Sequence, residues 1–235
     1  MRFYFSFFLI FISLQFFAQE EVVKDSIPVD SLYREDQFYF NITYNTLQNS
    51  PDGFKQNKFS PGIAFGFLRD MPINKSRTFA VALGFGYSSA AYNDNLYTYK
   101  SEDINANPTR VYEIISGNTY YSKNRLALHY LDIPLEIRWR NSTPESHKFW
   151  RVYAGFKVSY LFNNKYKFEN DVQSFTIKNN PDFNKFQYGC YLTAGWNTWN
   201  FYAYYGLTPL FKSAAIGDEK LKLNTLNIGL QFYIL

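Results

Sequence analysis

Proton transfer near neutral pH is histidine chemistry, and this 235-residue chain offers two candidates, His129 and His147. A hydrolytic site would need one of them within hydrogen-bond reach of a serine or a carboxylate. His147 lies in "NSTPESHK", which reads as a short turn. His129 lies in "RLALHYLDIPLEIRWR", where alternation puts it on the apolar side unless a local irregularity inverts it. Glycine-rich phosphate loops, zinc-ligand spacings and nucleophile elbows do not occur. The sequence therefore predicts no catalytic residue, no metal site and no cofactor. Cys190, the only cysteine, cannot form an intramolecular disulfide.

A second group of chemical residues is charged. Asp132 and Glu136 share one parity of the segment that ends at Arg140, and Arg151 and Lys157 share one parity of the next segment. If Trp139 pairs with Trp150 across the intervening turn, Asp132 faces Lys157 and Glu136 lies diagonal to Arg151. Such a ladder would satisfy charge held away from water. A proton or ligand relay is the sharper alternative for the same four residues.

Both groups depend on the elements that carry them, and those elements alternate. In "QFYFNITYN" Phe38, Phe40, Ile42 and Tyr44 share one parity, and in "FSPGIAFGF" Phe59, Ile63, Phe65 and Phe67 do. "TFAVALGFGYS" sets Phe79, Val81, Leu83, Phe85 and Tyr87 against small residues. The fourth segment sets Leu131, Ile133, Leu135, Ile137 and Trp139 against Asp132, Pro134, Glu136, Arg138 and Arg140. Pro134 cannot donate to a ladder, and a parity change near Tyr130 and Leu131 predicts a bulge. Three further segments begin at Trp150, Gln187 and Trp199, and the eighth is "LNTLNIGLQFYIL", Leu223 to Leu235. Period two throughout predicts strands with one apolar and one small or polar face.

Eight such strands could form a soluble sandwich or a closed barrel with its apolar face in lipid. Segments of about 9 to 15 residues suit a tilted bilayer crossing better than a soluble sheet, whose strands run to about 5 or 6. The connections alternate between short and long, as in outer-membrane barrels with both termini in the periplasm. Trp139, Trp150, Trp196 and Trp199 all fall at the short-turn end on the apolar parity. Tyr44, Tyr87, Tyr160 and Tyr188 share that parity at the other end. Two amphipathic aromatic belts mark two bilayer interfaces. The predicted fold is all-β, an eight-stranded antiparallel up-and-down transmembrane barrel over Gln37–Leu235, its interior filled by side chains rather than open.

The rest of the composition fits an exported membrane protein. Aromatic residues make up 21% of the chain, yet mean hydropathy is −0.32, so apolar residues are interleaved. The one continuous apolar run, Phe3 to Phe17, follows Arg2 and predicts a signal peptide over residues 1–18, cut after Ala18. Residues 19–36 hold six acidic and two basic side chains and predict an extended, acidic periplasmic leader. A net charge of +4 without a basic run argues against nucleic acid as a partner. The longest loop sets Lys100, Arg110, Lys123 and Arg125 against Asp94, Glu102, Asp103 and Glu113, and predicts ordinary solvated loops.

"HYLDIPLEIRW", His129 to Trp139, resembles a motif of small outer-membrane barrels of the PorT type. There a Tyr-Leu pair leads through an acidic residue into Ile-Pro-Leu within a strand. "FFAQ", "FSPGIAFGF" and the glycine-rich later strands are similar to that family as well. The resemblance implies a non-enzymatic barrel of the outer membrane associated with the type IX secretion system and, in some bacteria, with gliding. Its partners would be lipid and other secretion proteins, met through the acidic leader or the longest loop, with no small-molecule substrate. The other expectation is a generic small barrel with a structural, adhesive or minor-solute role.

Overall fold

The computed structural model describes residues 36–56, 58–100, 110–117, 119–141 and 149–234. The expected signal peptide and all of the expected leader but Asp36 lie outside them, as does His147. Eight long strands are present: β1 (Gln37–Gln48), β2 (Pro61–Pro72), β3 (Phe79–Asn93), β4 (Lys123–Arg140), β5 (Trp150–Glu169), β6 (Phe186–Trp196), β7 (Trp199–Gly206) and β8 (Asn224–Ile234). Each pairs antiparallel with its sequence neighbours, and β1 pairs with β8 from Phe38↔Ile234 to Gln48↔Asn224, so the sheet closes on itself. The chain folds as the expected eight-stranded up-and-down barrel, all-β among the described residues. Closure gives each of the eight long strands a partner on both sides, where lipid would otherwise leave an edge unpaired.

Alternation sorts the side chains as the sequence expects. Along β4, Leu131, Ile133, Leu135, Ile137 and Trp139 point outward and are exposed, while Asp132, Pro134, Glu136, Arg138 and Arg140 are buried inside. Four same-face steps of about 6.8 Å give roughly 27 Å along the strand, or about 20 Å of height at the usual tilt, most of a barrel's apolar band. Inside, thin and bulky walls interlock. A Cβ on Gly86 would collide with the Tyr39 hydroxyl, which reaches over from two strands away, and one on Gly155 with the ring of Tyr191, its partner on the adjacent strand, so each glycine makes room for a nearby tyrosine.

Three expectations need correction. First, the β4–β5 register pairs Trp139 with Val152 and Arg140 with Arg151, two residues away from the expected Trp139–Trp150 pairing. Trp150 instead pairs with Trp196 of β6, their rings 5.4 Å apart. Second, the bulge lies at the expected height, where the register shifts between His129 and Tyr130, but the extra residue is Phe162 on β5. Pro134 leaves the register intact on both sides. Third, β5 continues to Glu169, and beyond the bulge its inward residues become Asn164, Tyr166 and Phe168. The bulge exchanges parity, so the alternation that starts at Trp150 does not carry past Tyr160 in the sequence.

The connections at the two ends differ in kind. At the end where β1 begins they are short, the tightest being Asn197–Thr198, where Asn197 takes a φ of 55° that asparagine tolerates. At the opposite end the loops carry their own strands: Leu96–Lys100 pairs with Arg110–Ile114, and Ser174–Lys178 pairs with the upper part of β5.

Candidate functional site

The interior is built in three levels. At the short-turn end, Asp70 of β2 faces inward and receives two guanidinium groups. Arg140 donates to both of its carboxylate oxygens at 2.9 and 2.8 Å, and Arg138 Nη1 donates at 3.0 Å. Arg138 Nε also donates to Glu136 Oε2 at 2.7 Å, and the Tyr191 hydroxyl donates to Glu136 Oε1 at 2.7 Å. All four charged side chains are fully buried. The Arg138 guanidinium lies 4.8 Å from the Tyr153 ring centre, and that of Arg151 lies 4.5 Å from the Phe149 ring. This is a salt-bridged floor with aromatic walls.

The four charges expected from sequence are only partly joined. Lys157 Nζ lies 3.3 Å from Asp132 Oδ2, and also 4.4 Å from the Tyr204 ring centre. In the observed register Lys157 is diagonal to Asp132, which pairs with Ser159. Glu136 sits opposite Gly155 and binds Arg138, so the expected Glu136–Arg151 contact does not form. Asp70 is absent from the sequence candidates because it lies beyond "FSPGIAFGF", the part of β2 whose alternation is plain. Its parity, shared with the inward Leu68, was the available signal.

The middle level is a small polar chamber of about 40 Å3, lined among others by Asn41, Thr43, Asn45, Ser88, Ser159 and Gln187. Above it the character of the interior inverts. Leu126, Leu128 and Tyr130 of β4, with Tyr166 and Phe168 of β5, join loop residues such as Leu210 in one apolar cluster. Phe183 and Phe211 stack at 4.5 Å within it. A few polar groups bind it together: the Tyr112 hydroxyl donates to Asp182 Oδ2 at 2.8 Å and accepts from Asn180 Nδ2 at 2.7 Å. Asp94 is buried at its edge, accepting from the Leu96 amide at 2.9 Å, and burial pushes its carboxyl up to about 7. Among the described residues the apolar members of the loops thus form a packed cap, while Lys100, Glu113, Lys123 and Arg125 stay exposed as expected and Asp94 does not.

On the outside, Trp139, Trp150, Trp196 and Trp199 are exposed in a band at the short-turn end, and Tyr44, Tyr160 and Tyr188 are exposed near the other. Tyr87 also faces outward there, its hydroxyl 2.7 Å from His129 Nδ1. His129 points away from the interior and packs against Tyr87 and Phe162 rather than a nucleophile. Among the described residues, no group of three histidine, cysteine or acidic side chains could hold a metal ion.

A closed antiparallel barrel with an apolar outer band, two aromatic belts and a charged interior is the architecture of an outer-membrane β-barrel protein. A family model for the outer membrane protein beta-barrel domain matches residues 17–212, and the chain belongs to that family. No curated protein matches the sequence. Among solved structures, the chain is similar to the attachment invasion locus protein Ail of Yersinia pestis, solved in complex with the heparin analogue sucrose octasulfate. Identity is 13% over 86% of this chain and 100% of that one, at a TM-score of 0.40. A triple mutant of the Rhodopseudomonas blastica porin aligns at 9% identity over 86% of this chain and 100% of that one, at a TM-score of 0.15.

Proposed function

We propose that this outer-membrane barrel works by contact, as a non-enzymatic accessory of a type IX protein secretion system, with both termini in the periplasm after removal of a signal peptide. The observation that carries the non-transport, non-catalytic part is the interior itself. A salt-bridged floor and an apolar cap leave a chamber of about 40 Å3 between them, room for a few water molecules and not for a solute path. With its interior occupied, such a barrel acts through its rims, its loops and its leader. The secretion role rests on the PorT-like "HYLDIPLEIRW" and on the acidic residues 19–36, which suit a protein partner on the periplasmic side.

Deleting the gene and measuring secreted cargo tests this reading. Loss of cargo, with copurification of a large translocon from wild-type cells, is the expected result; undiminished secretion overturns it. The second reading is a generic structural or adhesive barrel, favoured by the cap, whose internal packing makes a firm head for surface contacts. Intact secretion accompanied by a defect in envelope integrity or adhesion would select it.

A further inference from the structure

Beyond the bulge, β4 and β5 rise past the upper aromatic belt, and Ser174–Lys178 adds a third strand beside them. The outward face of this extension collects cations that are scattered in sequence. Lys165 stands directly opposite Lys178, and Arg125 directly opposite Lys167. One row further out Lys123 faces Glu169, whose carboxylate lies 3.0 Å from Lys167 Nζ. Five cations therefore share a single carboxylate. Like charges placed directly across a sheet repel and destabilise the pairing. Among the described residues, Arg125, Lys165 and Lys178 have no ion pair to offset this. Two adjacent like-charged pairs make sense where an outside anion supplies the counter-charge.

The position of the patch identifies the anion's source. His129 and Phe162 lie on the same outward face, and the row of Ala127, Lys165 and Lys178 begins one same-face step beyond His129, about 7 Å along the strand. The lipid-facing wall thus runs without a break from apolar band through aromatic belt to cations, the order in which a bilayer presents acyl chains, interface and headgroups. We propose that Arg125, Lys165, Lys167 and Lys178 bind the phosphate groups of an anionic lipid headgroup in the leaflet around the loop end. Paired guanidinium and ammonium groups suit phosphate oxygens. The proposal is independent of any role in secretion.

The test uses the full mature chain in phosphatidylcholine nanodiscs doped with bisphosphorylated lipid A or with its dephosphorylated form, retained lipid being counted by native mass spectrometry. Wild type should keep the phosphorylated lipid and not the dephosphorylated one. Replacing Arg125, Lys165, Lys167 and Lys178 together by glutamine should cut retention by about tenfold or more. Replacing the exposed loop residues Lys212, Lys220 and Lys222 by glutamine should leave it unchanged. In uncharged detergent the four-site variant should melt no lower than wild type, because a repulsion has been removed. Should it fail to fold, the pair Arg125→Gln and Lys178→Gln serves instead, with a fall of at least about threefold expected. Equal retention by wild type and variant, or equal retention of both lipids, overturns the proposal. So does a soluble source: inorganic phosphate or a short DNA duplex stabilising the detergent-held protein as strongly as the phosphorylated lipid does.

Discussion

At the short-turn end, the barrel wall encloses Asp70, Glu136, Arg138 and Arg140, fully buried and bound to one another, with lipid-facing apolar residues outside. At the loop end, the same strands enclose Leu126, Leu128, Tyr130, Tyr166 and Phe168, while their outward residues beyond Phe162 are, apart from Ala127, polar or charged. The difference follows the solvent. Where lipid surrounds the wall, apolar groups gain nothing by turning inward, and the interior is left to polar groups that must satisfy each other. Where water surrounds it, the hydrophobic effect operates in the usual direction and packs a core. One chain is therefore inside-out below its bulge and ordinary above it, and the two parts should fail in different ways.

The largest effect is expected in the floor. Asp70→Ala leaves two buried guanidinium groups without their shared carboxylate and should cost about 4 kcal/mol, seen as loss of the heat-resistant folded band in detergent. Next comes the cap. Leu210, fully buried in the apolar cluster, should cost about 3 kcal/mol on change to alanine, but the loss should appear as proteolysis of the loops from a barrel that stays folded. If Leu210→Ala unfolded the barrel as Asp70→Ala does, the two ends would not be separate structures. Reversing charge singly at Asp132 or Lys157 should cost about 2 kcal/mol, and reversing both should restore most of it, because the 3.3 Å contact is kept with its sign exchanged.

An effect of comparable size concerns pH. Asp94 keeps its proton in the folded cap up to about 7 and gives it up near 3.8 when the loops open. The open form then binds fewer protons between these values, so cap stability falls as pH rises across that window and levels off above it. Loop cleavage should be roughly tens of times faster at pH 8 than at pH 5, and Asp94→Asn, which stays neutral, should flatten the profile. A steep profile retained in Asp94→Asn would assign the dependence to another group.

Much of the membrane-facing half was legible because its signal repeats every two residues and its aromatics are sorted by height. Trp139 and Trp150 could be placed on the lipid face and at one interface without knowing any register. The register itself was not legible: a slip of two residues keeps every side chain on its own face, so Trp139 opposite Val152 satisfies the alternation as well as Trp139 opposite Trp150. That slip decided the partners of Glu136 and Arg151. Asp70 was hidden because it lies past the last large apolar residue of its segment. The cap left no periodic trace, since its members come from strand extensions and several loops, and Phe162 inverts the parity of β5. The cationic face was hidden for a similar reason, because Arg125, Lys165, Lys167 and Lys178 meet only when three strands align.

The interior is closed at both ends by unlike means, a floor of ion pairs and a cap of apolar loop residues. Ion current through single molecules in a planar bilayer reads that closure. The wild-type protein should carry no resolvable current at any voltage that the bilayer withstands. A steady conductance from the wild-type barrel, persisting at the pH where the cap is most stable, would contradict it.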